Sequence, residues 1–166
     1  MPKKGESTMS LFPLSPIEPV EKTVQDAIDA IKAVLNFVER SITIAVVNET
    51  IFTLNLFNTD DGKSNFSSGG YAIGHLPAVT IPPGEGDAFA ADSSGLLTGV
   101  VGAVHYRIFE LQIDTGGIIT LSFANPFLGD NHYEQQVTPA PGLVTVFVTG
   151  SIGNQSQVIY TVRQFA

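Results

Sequence analysis

The chain has 166 residues, 43% of them apolar and 14% charged, with no cysteine and a formal charge of −8. That length suits one domain with a substantial core, and the missing cysteines exclude a disulfide framework or a thiolate metal site. Residues 41–166 hold only Lys63, Arg107 and Arg163 against ten acids. The clustered cations that neutralise nucleic-acid phosphates are therefore missing, and bulk attraction to an anionic bilayer is weak, which leaves neutral or zwitterionic surfaces open.

Residues 1–19 are punctuated by Pro2, Pro13, Pro16 and Pro19 and read as an irregular arm. The first helix signal runs from about Val20 to Arg40. Val20, Val24, Ile28, Ile31, Val34, Leu35 and Val38 recur at three- and four-residue spacing and fall on one face, with Glu21, Lys22, Gln25, Asp26, Asp29 and Lys32 on the rest. Pro19 suits a first-turn position, where its fixed φ fits and its missing N–H is not needed.

After Arg40 the pattern turns to β. Strands are expected at 42–47, 51–57, 78–81, 87–91, 97–107, 110–113, 118–123, 143–149 and 157–162. Residues 58–70 and 126–133 read as loops, with turns at Pro82-Pro83-Gly84, Gly116-Gly117 and Pro139-Ala140-Pro141-Gly142. Many short strands separated by Gly and Pro predict a mainly β fold, an antiparallel β-sandwich with one N-terminal amphipathic helix. The organisation expected is an arm (1–19), a helix (20–40) and a sandwich (41–166) forming a single domain. No window has the roughly 18 apolar residues of a membrane span, and no apolar stretch of signal-peptide length follows Met1.

Motifs for chemistry are incomplete. Gly62-Lys63-Ser64 lacks the earlier glycine of a phosphate loop, that position being Phe57, and Asp60-Asp61-Gly62 lacks the further ligands and closing Glu of a calcium loop. His75, His105 and His132 show no helical ligand spacing, so no metal or cofactor is expected. There is no Gly-x-Ser-x-Gly elbow. His132 beside Asp130 and Glu134 could form an acid–base group, which leaves a small hydrolase as a minor alternative, but no nucleophile or oxyanion donors accompany it; catalysis is not expected. Asn48-Glu49-Thr50, Asn65-Phe66-Ser67 and Asn154-Gln155-Ser156 match the glycosylation pattern and are read as coincidental.

In order and spacing, the segments over residues 20–137 resemble the actinoporin-like pore-forming cytolysins, whose fold is shared with aegerolysins and fungal fruit-body lectins. The resemblance rests on the amphipathic helix followed by Arg40-Ser41-Ile42-Thr43-Ile44-Ala45-Val46-Val47-Asn48-Glu49, on Leu76-Pro77-Ala78-Val79 with Ile81-Pro82-Pro83-Gly84, on Thr98-Gly99-Val100-Val101-Gly102-Ala103-Val104-His105-Tyr106, and on Leu121-Ser122-Phe123-Ala124-Asn125-Pro126-Phe127. The chain departs from that family at Ala124, where a serine is usual, and in having no tryptophan and no tyrosine-rich helical segment after Val137, so the family's headgroup cage is incomplete.

The resemblance implies a cytolysin that is secreted or released and acts at a target cell membrane, with cytoplasmic storage before release as the alternative where no signal stretch is seen. It would dock on lipid headgroups through sandwich loops and insert its helix, with Val20, Val24, Ile28, Ile31, Val34, Leu35 and Val38 toward lipid, into a homo-oligomeric pore. The implied headgroup residues are Ser67, Ser68, Tyr71, Val101, Pro126, Phe127, His132 and Tyr133, and the implied partners are membrane lipids with neutral or zwitterionic headgroups. The alternative is a lectin-like module that binds glycans or headgroups with the helix permanently packed.

Overall fold

The computed structural model describes residues 20–35, 39–57, 65–93, 95, 97–139 and 142–165. Within them α1 (Val20–Val34) precedes eleven strands: β1 (Ser41–Glu49), β2 (Thr53–Leu56), β3 (Phe66–Ser68), β4 (Gly70–Tyr71), β5 (Thr80–Ile81), β6 (Gly86–Asp92), β7 (Val100–Glu110), β8 (Ile113–Asn125), β9 (His132–Thr138), β10 (Val144–Gly150) and β11 (Gln155–Gln164). They form two sheets. Sheet A has the order β10-β11-β1-β6-β4; sheet B has β5-β2-β7-β8-β9, with β3 continuing along the β7 edge that β2 begins. The expected mainly β sandwich with one helix is what the chain forms.

The strand pattern explains the sandwich. In β8, Ile119, Leu121 and Phe123 alternate into the core while Thr120, Ser122 and Ala124 face outward. In β1, Ile42, Ile44 and Val46 join the same core, but Ala45 and Val47 are buried as well, beneath α1. That double burial accounts for the unbroken apolar run at the start of the sandwich. Tyr160 in β11 is fully buried, and its hydroxyl donates to the Ser122 carbonyl of the opposite sheet.

The helix lies on the outer face of sheet A. Val24 and Ile28 pack on Ala45 and Val47, while Ile31 and Leu35 pack on Ala72 and Ala90. Contact is close because the bed is made of small residues. A Cβ at Gly86 would lie 2.3 Å from Val24 Cγ2, so glycine is needed there for the helix to seat. Burying four such side chains contributes on the order of 6–12 kcal/mol before the entropy of ordering the helix is counted.

Several expectations are corrected. The helix ends at Val34 rather than reaching Arg40, with Leu35 in a single tight turn; residues 36–38, and Val38 with them, lie outside the described residues, as do the proline-rich arm (1–19), the 58–64 loop tip and residues 140–141. Its 15 residues extend about 22 Å at 1.5 Å per residue, short of the roughly 30 Å hydrocarbon core, and no helix among the described residues is long and apolar enough to cross a membrane. The β7–β8 turn is at Leu111-Gln112, both with positive φ, and Gly116-Gly117 sits in a bulge of β8 opposite Ile108. Phe66–Ser68 and Gly70–Tyr71 are short strands within the expected 58–70 loop, and β9 begins at His132, inside the expected 126–133 loop. The sheets are not wholly antiparallel: β11 enters between β10 and β1 and runs parallel to β1 from Ser41↔Gln155 to Glu49↔Arg163.

A fully buried asparagine closes each end of the sandwich. At one end Asn48 donates to the carbonyls of Phe52 (2.8 Å) and Pro82 (2.9 Å) and accepts from the Thr50 hydroxyl (2.7 Å), a burial incompatible with glycosylation of the folded chain there. At the other end Asn125, the last residue of β8, donates to the carbonyls of Ser41 in sheet A (3.1 Å) and of Asn154 just before β11 (2.7 Å), and accepts from Arg40 (2.9 Å). Asn125→Ala is expected to cost about 2–4 kcal/mol, because it strands buried carbonyls and a half-buried guanidinium group. Urea unfolding checks this; a midpoint unchanged from that of the parent chain contradicts it.

Candidate functional site

The starts of β1, β7, β9 and β11 and the ends of β6, β8 and β10 meet at the Asn125 end. Arg40 organises it. Its guanidinium donates to the Pro126 carbonyl (2.8 Å) as well as to Asn125 and lies 5.3 Å from the centre of the Phe127 ring. Gly99 makes the junction tight: a Cβ there would be 2.6 Å from Pro126 Cα and 2.7 Å from the Asn125 oxygen. Asn131 ties the β8–β9 loop to the β10–β11 loop, its side chain accepting from Gly153 N–H (3.1 Å) and donating to Gly153 O (3.3 Å).

Three loops are thereby held side by side, and among the described residues they expose Leu97 (61% exposed), Leu128 (82%) and Ile152 (84%). Sequence reasoning missed all three. An aliphatic in a Gly- or Asn-containing loop was the available signal, but the three positions are about 25–30 residues apart in the chain and only the strand pairing unites them. The opposite end also exposes apolar residues, Ile51, Leu111 and Ile113, with Glu49, Glu110 and Asp114 beside them, while at the Asn125 end the exposed Asp130 stands two residues from Leu128.

The residues singled out from sequence divide among three places. Pro126, Phe127 and Ser68, whose hydroxyl donates to the Gly99 carbonyl (2.8 Å), belong to the Asn125 end. Ser67, Val101 and His132 come together instead on the outer face of sheet B, lining a cavity of about 320 Å³ together with Ala103, Ser122 and Glu134. His132 Nε2 is 2.7 Å from Glu134 Oε1, both side chains being about two-thirds exposed. Tyr71 and Tyr133 are half-buried and turned inward. The Tyr71 ring packs edge-on against Phe66 and Phe89, and burial pushes its hydroxyl pKa up. The Tyr133 ring packs on Gly150, and its hydroxyl donates to the Ser151 carbonyl (2.8 Å), closing β9 onto the β10 side of the sandwich.

Of the helix residues, Val24, Ile28, Ile31 and Leu35 are buried on sheet A, Val20 is half-buried beside Val47, and Val34 is exposed. Within sheet B, His105 Nδ1 meets the Thr120 hydroxyl at 3.0 Å on the outer face. Asp87 faces the core at the open edge of the sandwich and accepts from Ala78 N–H (2.7 Å); burial pushes its carboxyl pKa up against the lowering effect of that bond. No group of three or more potential metal-ligating side chains occurs among the described residues.

The fold thus defines a helix-covered β-sandwich with one bare sheet face and one loop-bearing end. The sequence matches no protein-family model and no curated protein. Among solved structures, the chain is similar to the lipid binding protein Nakanori, with a TM-score of 0.71 at 15% identity over 87% of this chain and 80% of that one. It is also similar to the RahU protein, solved in complex with a TRIS molecule, with a TM-score of 0.54 at 15% identity over 77% of this chain and 97% of that one. At such identities the likeness shows a common fold.

Proposed function

We propose that this protein binds lipid bilayers with the Asn125 end of its sandwich, and that α1 then leaves sheet A to enter the bilayer and build a homo-oligomeric pore. The observation that carries the docking half is the trio Leu97, Leu128 and Ile152, exposed on three loops fixed to one another at one end. Exposed aliphatics on loops fixed to one another gain together from entering the interfacial layer, and the acids at this end are Asp130 and Asp92, against Glu49, Glu110 and Asp114 beside the apolar residues of the opposite end. The lipid binding of Nakanori, which shares the fold, supports the same reading. The role is binding and assembly, not catalysis, and it is exercised at the membrane of a target cell after secretion or release.

The pore half draws on the helix. Its buried stripe is apolar and its remainder is Glu21, Lys22, Gln25, Asp26, Asp29 and Lys32, a division suited first to a sheet and then to lipid on one side and water on the other. The side chains that lose burial on leaving sheet A regain it in hydrocarbon. Release has to come with lengthening beyond Val34, since α1 alone is shorter than the hydrocarbon core.

Docking is tested by co-sedimentation with phosphatidylcholine vesicles. Leu128→Glu combined with Ile152→Glu is expected to lower partitioning about tenfold or more, at a cost of roughly 1 kcal/mol or more for each charge brought to the interface. Leu111→Glu at the opposite end is expected to leave partitioning unchanged. Equal losses from both ends would remove the assignment.

Helix release is tested with Lys32→Cys/Gln157→Cys in this cysteine-free chain, where the two side chains meet at 3.4 Å between α1 and β11 and a short dithiol can join the cysteines by oxidation. The oxidised variant should sediment with vesicles but release no trapped dye, and reduction should restore release. Leakage from the oxidised form at the parent rate would show that the packed helix needs no release.

A further inference from the structure

We infer that the outer face of sheet B carries a binding site for a neutral carbohydrate, distinct from the bilayer-docking end and independent of it. α1 covers sheet A, and among the described residues no helix covers the outer face of sheet B. There the register places Val101 beside Ala124 and Ala103 beside Ser122, so four small side chains make a level floor. His132 and Glu134 follow on β9, opposite Ala124 and Ser122. The cavity of about 320 Å³ over this floor shares Ser122 and Glu134 with a second one of about 500 Å³, which continues past Thr120 and Gln136 to the β9 edge. The two form one open trough, each part within the size range of small-molecule sites.

The chemistry of the trough selects its ligand. Among the described residues no Lys or Arg lines either cavity, and the Glu134 carboxylate stands over both, so a phosphate or sulfate group would meet an acid there. A quaternary ammonium group would need an open aromatic face. The rings at hand do not build a cage: Phe123 is 1% exposed, and Tyr133, which borders the larger cavity, is a single half-buried ring packed on Gly150. What the walls do offer is a carboxylate, a primary amide, an imidazole and hydroxyls above a small-residue floor. A carboxylate accepts from two neighbouring hydroxyls at once, and the amide of Gln136 and the hydroxyls of Ser67 and Ser122 can both donate and accept. Vicinal hydroxyls on a flat, uncharged ring satisfy that set. His132 holds Glu134 through Oε1 at 2.7 Å, which limits the rotamers of the carboxylate before a ligand arrives.

The test uses the full chain in two arms. In one, it is applied to free neutral saccharides with gluco, galacto, manno and N-acetylamino termini, with inorganic phosphate and ethanolamine as controls. In the other, it is applied to phosphatidylcholine vesicles with and without neutral glycosylceramides carrying the same sugars. Binding to at least one neutral sugar is expected, weakened about tenfold or more by Glu134→Gln and by Ala103→Trp, which fills the floor. Both positions are on the surface, so the urea midpoint and sedimentation with plain phosphatidylcholine vesicles should be unchanged. Binding in both arms supports a site for glycans at large, and binding only to glycosylceramide vesicles supports a glycolipid headgroup as the source. No neutral sugar bound in either arm, sugar binding untouched by both variants, or selectivity for phosphate or ethanolamine overturns the assignment. Loss of docking on plain vesicles by the parent chain would instead overturn the bilayer reading and leave this one standing.

Discussion

The amide of Asn125 is where the two sheets are fastened, and much else follows from that fastening. β8 belongs to sheet B, yet its last side chain is bonded to the carbonyls of Ser41 in sheet A and of Asn154 just before β11. A buried amide with that many partners stabilises one spacing of the sheets and penalises others, because any shift strands polar groups in a dry interior. Arg40 extends the junction outward to the Pro126 carbonyl and the Phe127 ring, and Asn131 carries it across to the β10–β11 loop. The loops at this end are thus anchored at their bases while their tips face solvent, an arrangement that presents apolar side chains without letting them collapse inward.

The helix fixes the second asymmetry. By covering β1 and β6 it makes sheet A an internal layer, which is why Ala45, Val47, Ala88 and Ala90 are small or apolar on the side that a bare sheet would turn to water. Among the described residues no helix covers sheet B, and its outward positions carry Thr120, Ser122, Glu134, Gln136 and His132 instead. The chain therefore holds an apolar-faced helix on one side and a polar sheet face on the other, with the anchored loops between them. The proposed docking, insertion and sugar binding use three different surfaces, so each can be altered without touching the others.

How far the sequence reached can be traced element by element. β1, β7 and β8 were plain because β-branched runs with Gly and Pro at their ends have few other uses. The helix was plain in existence but not in its end, because apolar spacing continues at Leu35 after the last residue of α1. β9 was hidden: His132–Thr138 is an edge strand with polar residues on its outer face, and its identity comes from pairing with β8 and from Tyr133 packing on Gly150. The parallel β1–β11 pair was out of reach for local reading, since its strands are separated by almost the whole sandwich. The site shows the same division. Pro126 and Phe127 were noticed because aromatic and proline corners are conspicuous, whereas Leu97, Leu128 and Ile152 become a group only once the loops are seen to share an end.

Hydrogen exchange on the full chain, with and without phosphatidylcholine vesicles, tests the central claim most directly. Slower exchange over residues 97–99, 126–131 and 151–154, faster exchange over 20–34, and no change over 110–113 is the result expected if the Asn125 end meets the bilayer and α1 leaves sheet A. Protection of 110–113 with the three loops unchanged would place the bilayer at the opposite end and contradict the assignment.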